Sequence, residues 1–120
     1  MKKLLMVLLA LCLGLCAVSC GGKPSNMDQK TYDLGKEAVQ IAEDYLNGRT
    51  SASDAYRKID SVYNSLNSYV PTNSTPNLIV IGYVMRIRFE FIKPILLNDS
   101  IDKDEVKSAL KELKEYINVR

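Results

Sequence analysis

The sequence predicts an all-α protein: a small up-down bundle of about four helices that follows a leader removed on maturation. Three observations carry this. Beyond residue 28, apolar residues recur at intervals of three and four through most of the chain. Capping and stopping residues sit where those patterns begin and end. The intervals between patterns are only a few residues long, which folds successive helices back on one another.

The first pattern runs from Asp28 to Asn47, with Tyr32, Ala38, Val39, Ile41, Ala42, Tyr45 and Leu46 on one stripe. Asn47-Gly48 ends it, because glycine tolerates the left-handed turn after a helix. The second starts near Ser51, where Ser51 and Asp54 have the spacing of a capping box. Its stripe is Ala52, Ala55, Tyr56, Ile59, Val62, Tyr63, Leu66 and Val70. Residues 70–75, VPTNST, read as a loop, and Pro76 suits the first turn of a third helix capped by Thr75 or Ser74.

Residues 78–97, LIVIGYVMRIRFEFIKPILL, fit two templates. As a helix, Leu78, Ile81, Met85, Phe89, Ile92 and Leu96 make one face. As a β-hairpin, strands would flank Gly82-Tyr83, with Met85, Ile87, Phe89 and Phe91 alternating with charged residues. Local propensity suits the strands. Context selects the helix, since a lone hairpin is marginal and no other segment could extend a sheet. Pro94 then kinks it by removing the bond to the Glu90 carbonyl. The fourth pattern begins at a D-x-x-E cap, Asp102 and Glu105, and its stripe is Val106, Ala109, Leu110, Leu113, Tyr116 and Ile117.

The N-terminus has a different character. Met1-Lys2-Lys3 precedes an apolar run, Leu4 to Leu15, that ends in the small residues Ala17 and Ser19. Two cations, an apolar run of about 12 residues and a small-residue exit make a secretory signal. The run is short for a span, which needs about 20 residues. All three cysteines, Cys12, Cys16 and Cys20, fall here. The segment Ala17-Val18-Ser19-Cys20, followed by Gly21-Gly22, resembles the lipobox of bacterial lipoproteins, with Ala17 where leucine is commoner. The resemblance covers residues 1–20. It implies cleavage before Cys20, diacylglycerol on the Cys20 sulfur and attachment to a membrane. An ordinary signal peptidase reading Ala17-Val18-Ser19 would cut at the same bond and leave the thiol bare. Gly21 is not the Asp that implies inner-membrane retention in many such proteins, which favours the outer membrane. The domain organisation expected is a signal peptide over 1–19, a flexible tether over 20–27 and a helical domain over 28–120.

Charge and composition narrow the function. The chain has 16 Lys and Arg against 14 Asp and Glu, and loss of Lys2 and Lys3 with the leader leaves 14 of each. A neutral protein lacks the basic surplus that nucleic acids demand. There is no histidine, which excludes Ser-His-Asp and Cys-His machinery and the Glu-x-x-His pairs of di-iron bundles. No catalytic, cofactor-binding or metal-binding set emerges, and the carboxylates fall mostly on predicted solvent faces. Arg86 and Arg88 lie in the most apolar part of the domain, beside Glu90. They are candidate binding residues, either anion-binding groups or interface anchors. The plainer reading is a local ion pair or side chains snorkelling at the core edge. The seven tyrosines suit core-edge packing by their helical spacing.

The expected protein is thus a non-enzymatic binding or accessory component of the cell envelope, held to the membrane by lipid on Cys20 and meeting an envelope protein. The alternative is a small-ligand or glycan-binding module built on the tyrosines and arginines. A hydrolase ranks third. Mass spectrometry of the N-terminal peptide of the mature protein is expected to find a diacylated Cys20; an unmodified thiol there would rule out the anchor.

Overall fold

A computed structural model describes residues 22–69 and 75–120. The leader, Cys20 and residues 70–74 of the loop predicted over 70–75 lie outside the described residues, and Thr75 belongs to a helix. Among the described residues there are four α-helices: α1 (Gln29–Leu46), α2 (Ala52–Tyr69), α3 (Thr75–Ile92) and α4 (Lys103–Tyr116). A π-helical turn, Lys93–Leu97, continues α3. No strand occurs among the described residues, so residues 78–97 are helical.

Local chemistry explains the ends. Asn47 closes α1 with its backbone N–H on the Glu43 carbonyl at 2.9 Å, and Gly48 follows at φ +74°. A side chain there would be strained, which is why glycine stands at this position. Ser51 Oγ accepts from the Asp54 N–H at 3.1 Å and caps α2. Asp54 does not reach back to complete the box; it pairs with Arg57 at 2.9 Å. Pro76 sits in the first turn of α3, where its missing N–H costs nothing. Pro94 stands in the π-helical turn, which ends at Asn98 in the left-handed conformation. Proline's lost N–H and ring bulk are the physical cause of a change in helical winding here.

Neighbouring helices pack in a ring: α1 on α2, α2 on α3, α3 on α4 and α4 on α1. Across the diagonal, α1 meets α3, with the Tyr45 and Phe91 rings edge to face at 4.9 Å. The core takes Ala38, Val39, Ile41 and Ala42 from α1 and Ala55, Ile59, Val62 and Leu66 from α2. From α3 come Val80, Val84, Ile87 and Phe91, and from α4 Val106, Ala109, Leu110 and Leu113, with Ile117 just beyond. Gly35 of α1 lies against this core with room for a small side chain. A Cβ there would stand 3.4 Å from Ile117 Cδ1 and 3.5 Å from Val80 Cγ1. Met27, at the end of the expected tether, is itself buried, and its N–H bonds to the Pro24 carbonyl.

The core face of α3 differs from the face with the most obvious helical spacing. Val80, Val84, Ile87 and Phe91 point inward, whereas Leu78, Met85, Phe89 and Leu96 are exposed. Both sets follow the spacing of a helical stripe, so periodicity alone cannot choose between them. The choice is made by Arg86 and Arg88, whose partners lie on the flanking helices, and by Glu90, which accepts from the Asp102 N–H just before α4.

Phe89 and Phe91 are two residues apart with opposite environments. Phe91→Ala is expected to cost about 3–5 kcal/mol in denaturant unfolding. Phe89→Ala is expected to stay within about 0.5 kcal/mol of wild type. Equal losses at the two positions would contradict this orientation of α3.

Candidate functional site on the outer face of α3

The site is built from α3 and held by charges at its edges. Arg86 donates from Nε and Nη2 to Glu105 Oε1 at 3.0 and 2.7 Å, and from Nη1 to Glu112 Oε2 at 2.5 Å. It thereby ties α3 to α4. The carboxylates of Glu112 and Glu105 hold its guanidinium further above the usual arginine range. On the other side, Arg88 Nε donates to Asp60 Oδ1 at 2.8 Å and ties α3 to α2. Its guanidinium also lies over the rings of Tyr63 and Tyr56, at 4.9 and 5.8 Å from their centroids. The two arginines picked out from sequence are therefore not brought together. Each faces a different neighbouring helix and is engaged by this chain's own acids.

A third charge, Glu90, is 3% exposed. Its Oε1 accepts from Lys93 Nζ at 2.8 Å and from the backbone N–H of Asp102 at 2.9 Å. Asp102 in turn caps α4, its Oδ1 accepting from the N–H groups of Asp104 and Glu105 at 3.0 and 3.2 Å. In an ordinary capping box Glu105 would bond the Asp102 N–H. Here Glu90 occupies that donor and Glu105 turns to Arg86. The hydrogen bond that Lys93 donates to the Glu90 carboxylate raises its ammonium above the usual lysine value. A raised pKa for a base means that this contribution to stability is present at neutral pH and lost only as pH climbs through the lysine range.

Between these edges the outer face of α3 is apolar. Leu78, Met85 and Phe89 are 52%, 49% and 53% exposed, and Ile95, Leu96 and Leu97 of the π-helical turn are 48%, 69% and 57% exposed. Gly82 lies in the same stripe, and a Cβ there would touch nothing within 4 Å. An open groove of about 590 Å³ runs alongside, lined by Gly82, Met85, Arg86, Phe89, Glu90 and Glu105. Of these, Met85 and Phe89 meet at one groove, and large apolar side chains exposed together mark a candidate interaction surface. The arrangement offers contact area and shape. It offers no general base beside a nucleophile, and no group of three or more metal-ligating side chains converges among the described residues.

Two further grooves flank the C-terminus. One of about 590 Å³ includes Gly22, Tyr32, Lys36, Glu43, Val119 and Arg120 in its lining. The other, of about 430 Å³, includes Lys107, Leu110, Lys111, Lys114 and Arg120. Lys114 pairs with Glu43 at 3.4 Å, joining α4 to α1. No helix among the described residues is long and apolar enough to cross a membrane. Of the tyrosines, Tyr32 is buried, and Tyr45, Tyr56, Tyr63, Tyr83 and Tyr116 pack partly buried against the core. Burial, with Tyr83 nearby, pushes the Tyr116 phenol up.

The apolar outer stripe was visible in the sequence as a face, but nothing there marked it as the outward one. The buried role of Glu90 was missed, because its partner, the start of α4, is set by tertiary packing. Compared with known protein families, with curated proteins and with solved structures, the chain matches none.

Substitutions at Glu90 separate its two roles. Glu90→Gln keeps an oxygen for the Asp102 N–H and removes the charge that pairs with Lys93. Glu90→Ala removes both and is expected to be the more destabilising, by about 1–3 kcal/mol in urea unfolding. An alanine variant as stable as the glutamine variant would show that the cap contact contributes nothing.

Proposed function

We propose that this chain is a lipid-anchored, non-enzymatic protein of the bacterial cell envelope that works by docking a protein on the outer face of α3. The observation that carries the docking surface is the exposed stripe Leu78, Met85 and Phe89, with Ile95, Leu96 and Leu97 exposed in the turn that follows α3. Its edges carry charges already neutralised within the chain. Such a surface gains by excluding water against another apolar surface and needs no ionic partner. The anchor rests on the leader and on Cys20 of the lipobox-like segment. Gly22 and the start of α1 lie at the end of the bundle opposite the π-helical turn, so a lipid on Cys20 would leave that turn and the length of α3 clear for contact.

Enzymatic readings have little to stand on. Arg86 is engaged by Glu105 and Glu112, and Arg88 by Asp60 and the rings of Tyr56 and Tyr63, which leaves these candidate ligand-recognising groups already partnered.

Photo-crosslinking residues placed singly at Met85, at Phe89 and at the exposed Lys58 test the surface in the membrane-bound protein. Protein adducts are expected from positions 85 and 89 and not from 58. Adducts to phospholipid alone, or equal capture from all three positions, would overturn the reading.

A further inference from the structure

We infer that the α1–α4 side of the bundle lies on anionic phospholipid headgroups; this rests on the reading of the chain as membrane-anchored through Cys20. Without the leader the chain is formally neutral, but its charges are not evenly spread. On α4 they are sorted by side. Glu105 and Glu112 turn to Arg86 of α3. Lys103, Lys107, Lys111 and Lys114 recur at intervals of four, four and three, which sets them in one row along the helix. At 1.5 Å per residue the row is about 16 Å long. Lys114 pairs with Glu43 of α1, and Lys103 lies over the Tyr45 ring, so the row borders α1. The two grooves beside the C-terminus share Val119 and Arg120 and so adjoin. Lys107, Lys111, Lys114 and Arg120 line one, and Lys23, Lys36 and Arg120 the other, against the acids Glu115 and Glu43. Lys107, Lys111 and Arg120 are exposed and have no ion-pair partner among the described residues. On the α1 rim, Asp33 and Asp44 accept from the Gln29 and Gln40 amides at 3.0 and 2.9 Å, and Asp44 also pairs with Arg49.

Three features select a lipid surface over other polyanions. First, the cations are spread along an open side instead of converging, and all but Arg120 are lysines, which act as hydrated point charges and not as bidentate forks. Spread point charges suit a sheet of headgroups, where each strengthens binding about fivefold. Second, the one aromatic ring in the lining, Tyr32, is buried, so single-stranded nucleic acid finds no stacking platform. Third, the start of the described chain belongs to the same place. Gly22 and Lys23 line the groove, and Lys23 Nζ is held on the Met27 carbonyl at 2.5 Å. Cys20 stands two residues earlier, a span of at most about 7 Å. A lipid there brings the bilayer to these cations. With diacylglycerol supplying the hold, the basic side fixes the orientation, and α3, diagonal to α1 in the ring, stays clear for a protein partner.

The core lies wholly between Met27 and Ile117, so the chain from residue 20 retains all of it. Cys20 is the sole thiol of that chain and can be coupled to a maleimide-bearing lipid in vesicles. Lysine acetylation, read by mass spectrometry, then reports which side faces the bilayer. On an equal mixture of phosphatidylcholine and phosphatidylglycerol, Lys107 and Lys111 are expected to react at least about fivefold more slowly than on phosphatidylcholine alone. Lys58, exposed on α2, should react alike on both. Salt at about 1 M should abolish the difference, because it screens beyond about 3 Å. Lys107→Gln with Lys111→Gln should lower the preference for this orientation about 25-fold, read as lost protection of Lys36. Arg57→Gln with Lys58→Gln removes equal charge from α2 and should leave that protection intact. All four substituted positions are exposed, so both variants should keep the wild-type thermal unfolding curve. Protection that is the same on both vesicles, or lost equally in the two variants, overturns the proposal. So does stronger protection of the same lysines by single-stranded DNA in solution than by the vesicles. The coupling is chemical, so the native anchor is judged separately. Protection here with a bare Cys20 thiol in the mature protein leaves the basic side standing and the anchor refuted. A diacylated Cys20 without protection leaves the anchor standing and this orientation refuted.

Discussion

The Glu90 carboxylate is where the bundle is joined. It is almost fully buried, and a buried carboxylate persists only when its oxygens are satisfied. Lys93, three residues on, supplies the countercharge from the same helix, and the Asp102 N–H supplies a hydrogen bond from the start of the next. One group therefore links the end of α3 and the cap of α4. The intervening segment must leave α3 through the π-helical turn at Pro94 and return at a fixed point. That point sets the register of α4 against α3, and with it which α4 residues Arg86 can reach. The seam from Lys93 through Glu90, Asp102 and Glu105 to Arg86 and Glu112 is a continuous run of polar contacts along one helix joint.

The arginines finish what Glu90 begins. Exposed ion pairs contribute little to stability, typically under about 1 kcal/mol each, and these pairs are a third or so exposed on both sides. Their larger effect is rotational. A helix that is apolar all round could bury either face at similar gain. With Arg86 engaged to α4 and Arg88 to α2, only one rotation of α3 satisfies both. That rotation buries Val80, Val84, Ile87 and Phe91 and turns Leu78, Met85 and Phe89 outward. The exposed stripe is thus a consequence of how the charges are placed, and the apolar face left over is available for contact.

Much of the fold could be read from residue order because it is written locally. Asn47-Gly48, Ser51, Pro76, Pro94 and Asp102 each act through bonds to residues a few positions away, and each stands at a helix end or a change of winding in the structure. The choice of helix over hairpin for residues 78–97 needed only the absence of other strands. What stayed hidden was long-range. Glu90 looks like any surface acid beside two arginines, and its burial follows from Asp102, twelve positions later. Arg86 and Arg88 invite a ligand when seen alone; Glu105, Glu112 and Asp60 answer them from other helices. The outward stripe was legible as a pattern but not as a direction, since direction depends on those same distant partners.

The groove shared by Gly22, Val119 and Arg120 brings the two ends of the described chain side by side. Because α4 also packs on α1, the four helices form a closed ring in which each pair of neighbours but one is joined by a loop. The missing join is simply where the chain happens to open. A short linker across that groove, with new ends cut between Asn47 and Ser51, would leave every helix beside the same two neighbours. The order of the helices along the polypeptide is therefore incidental to the packing, and the architecture belongs to the ring.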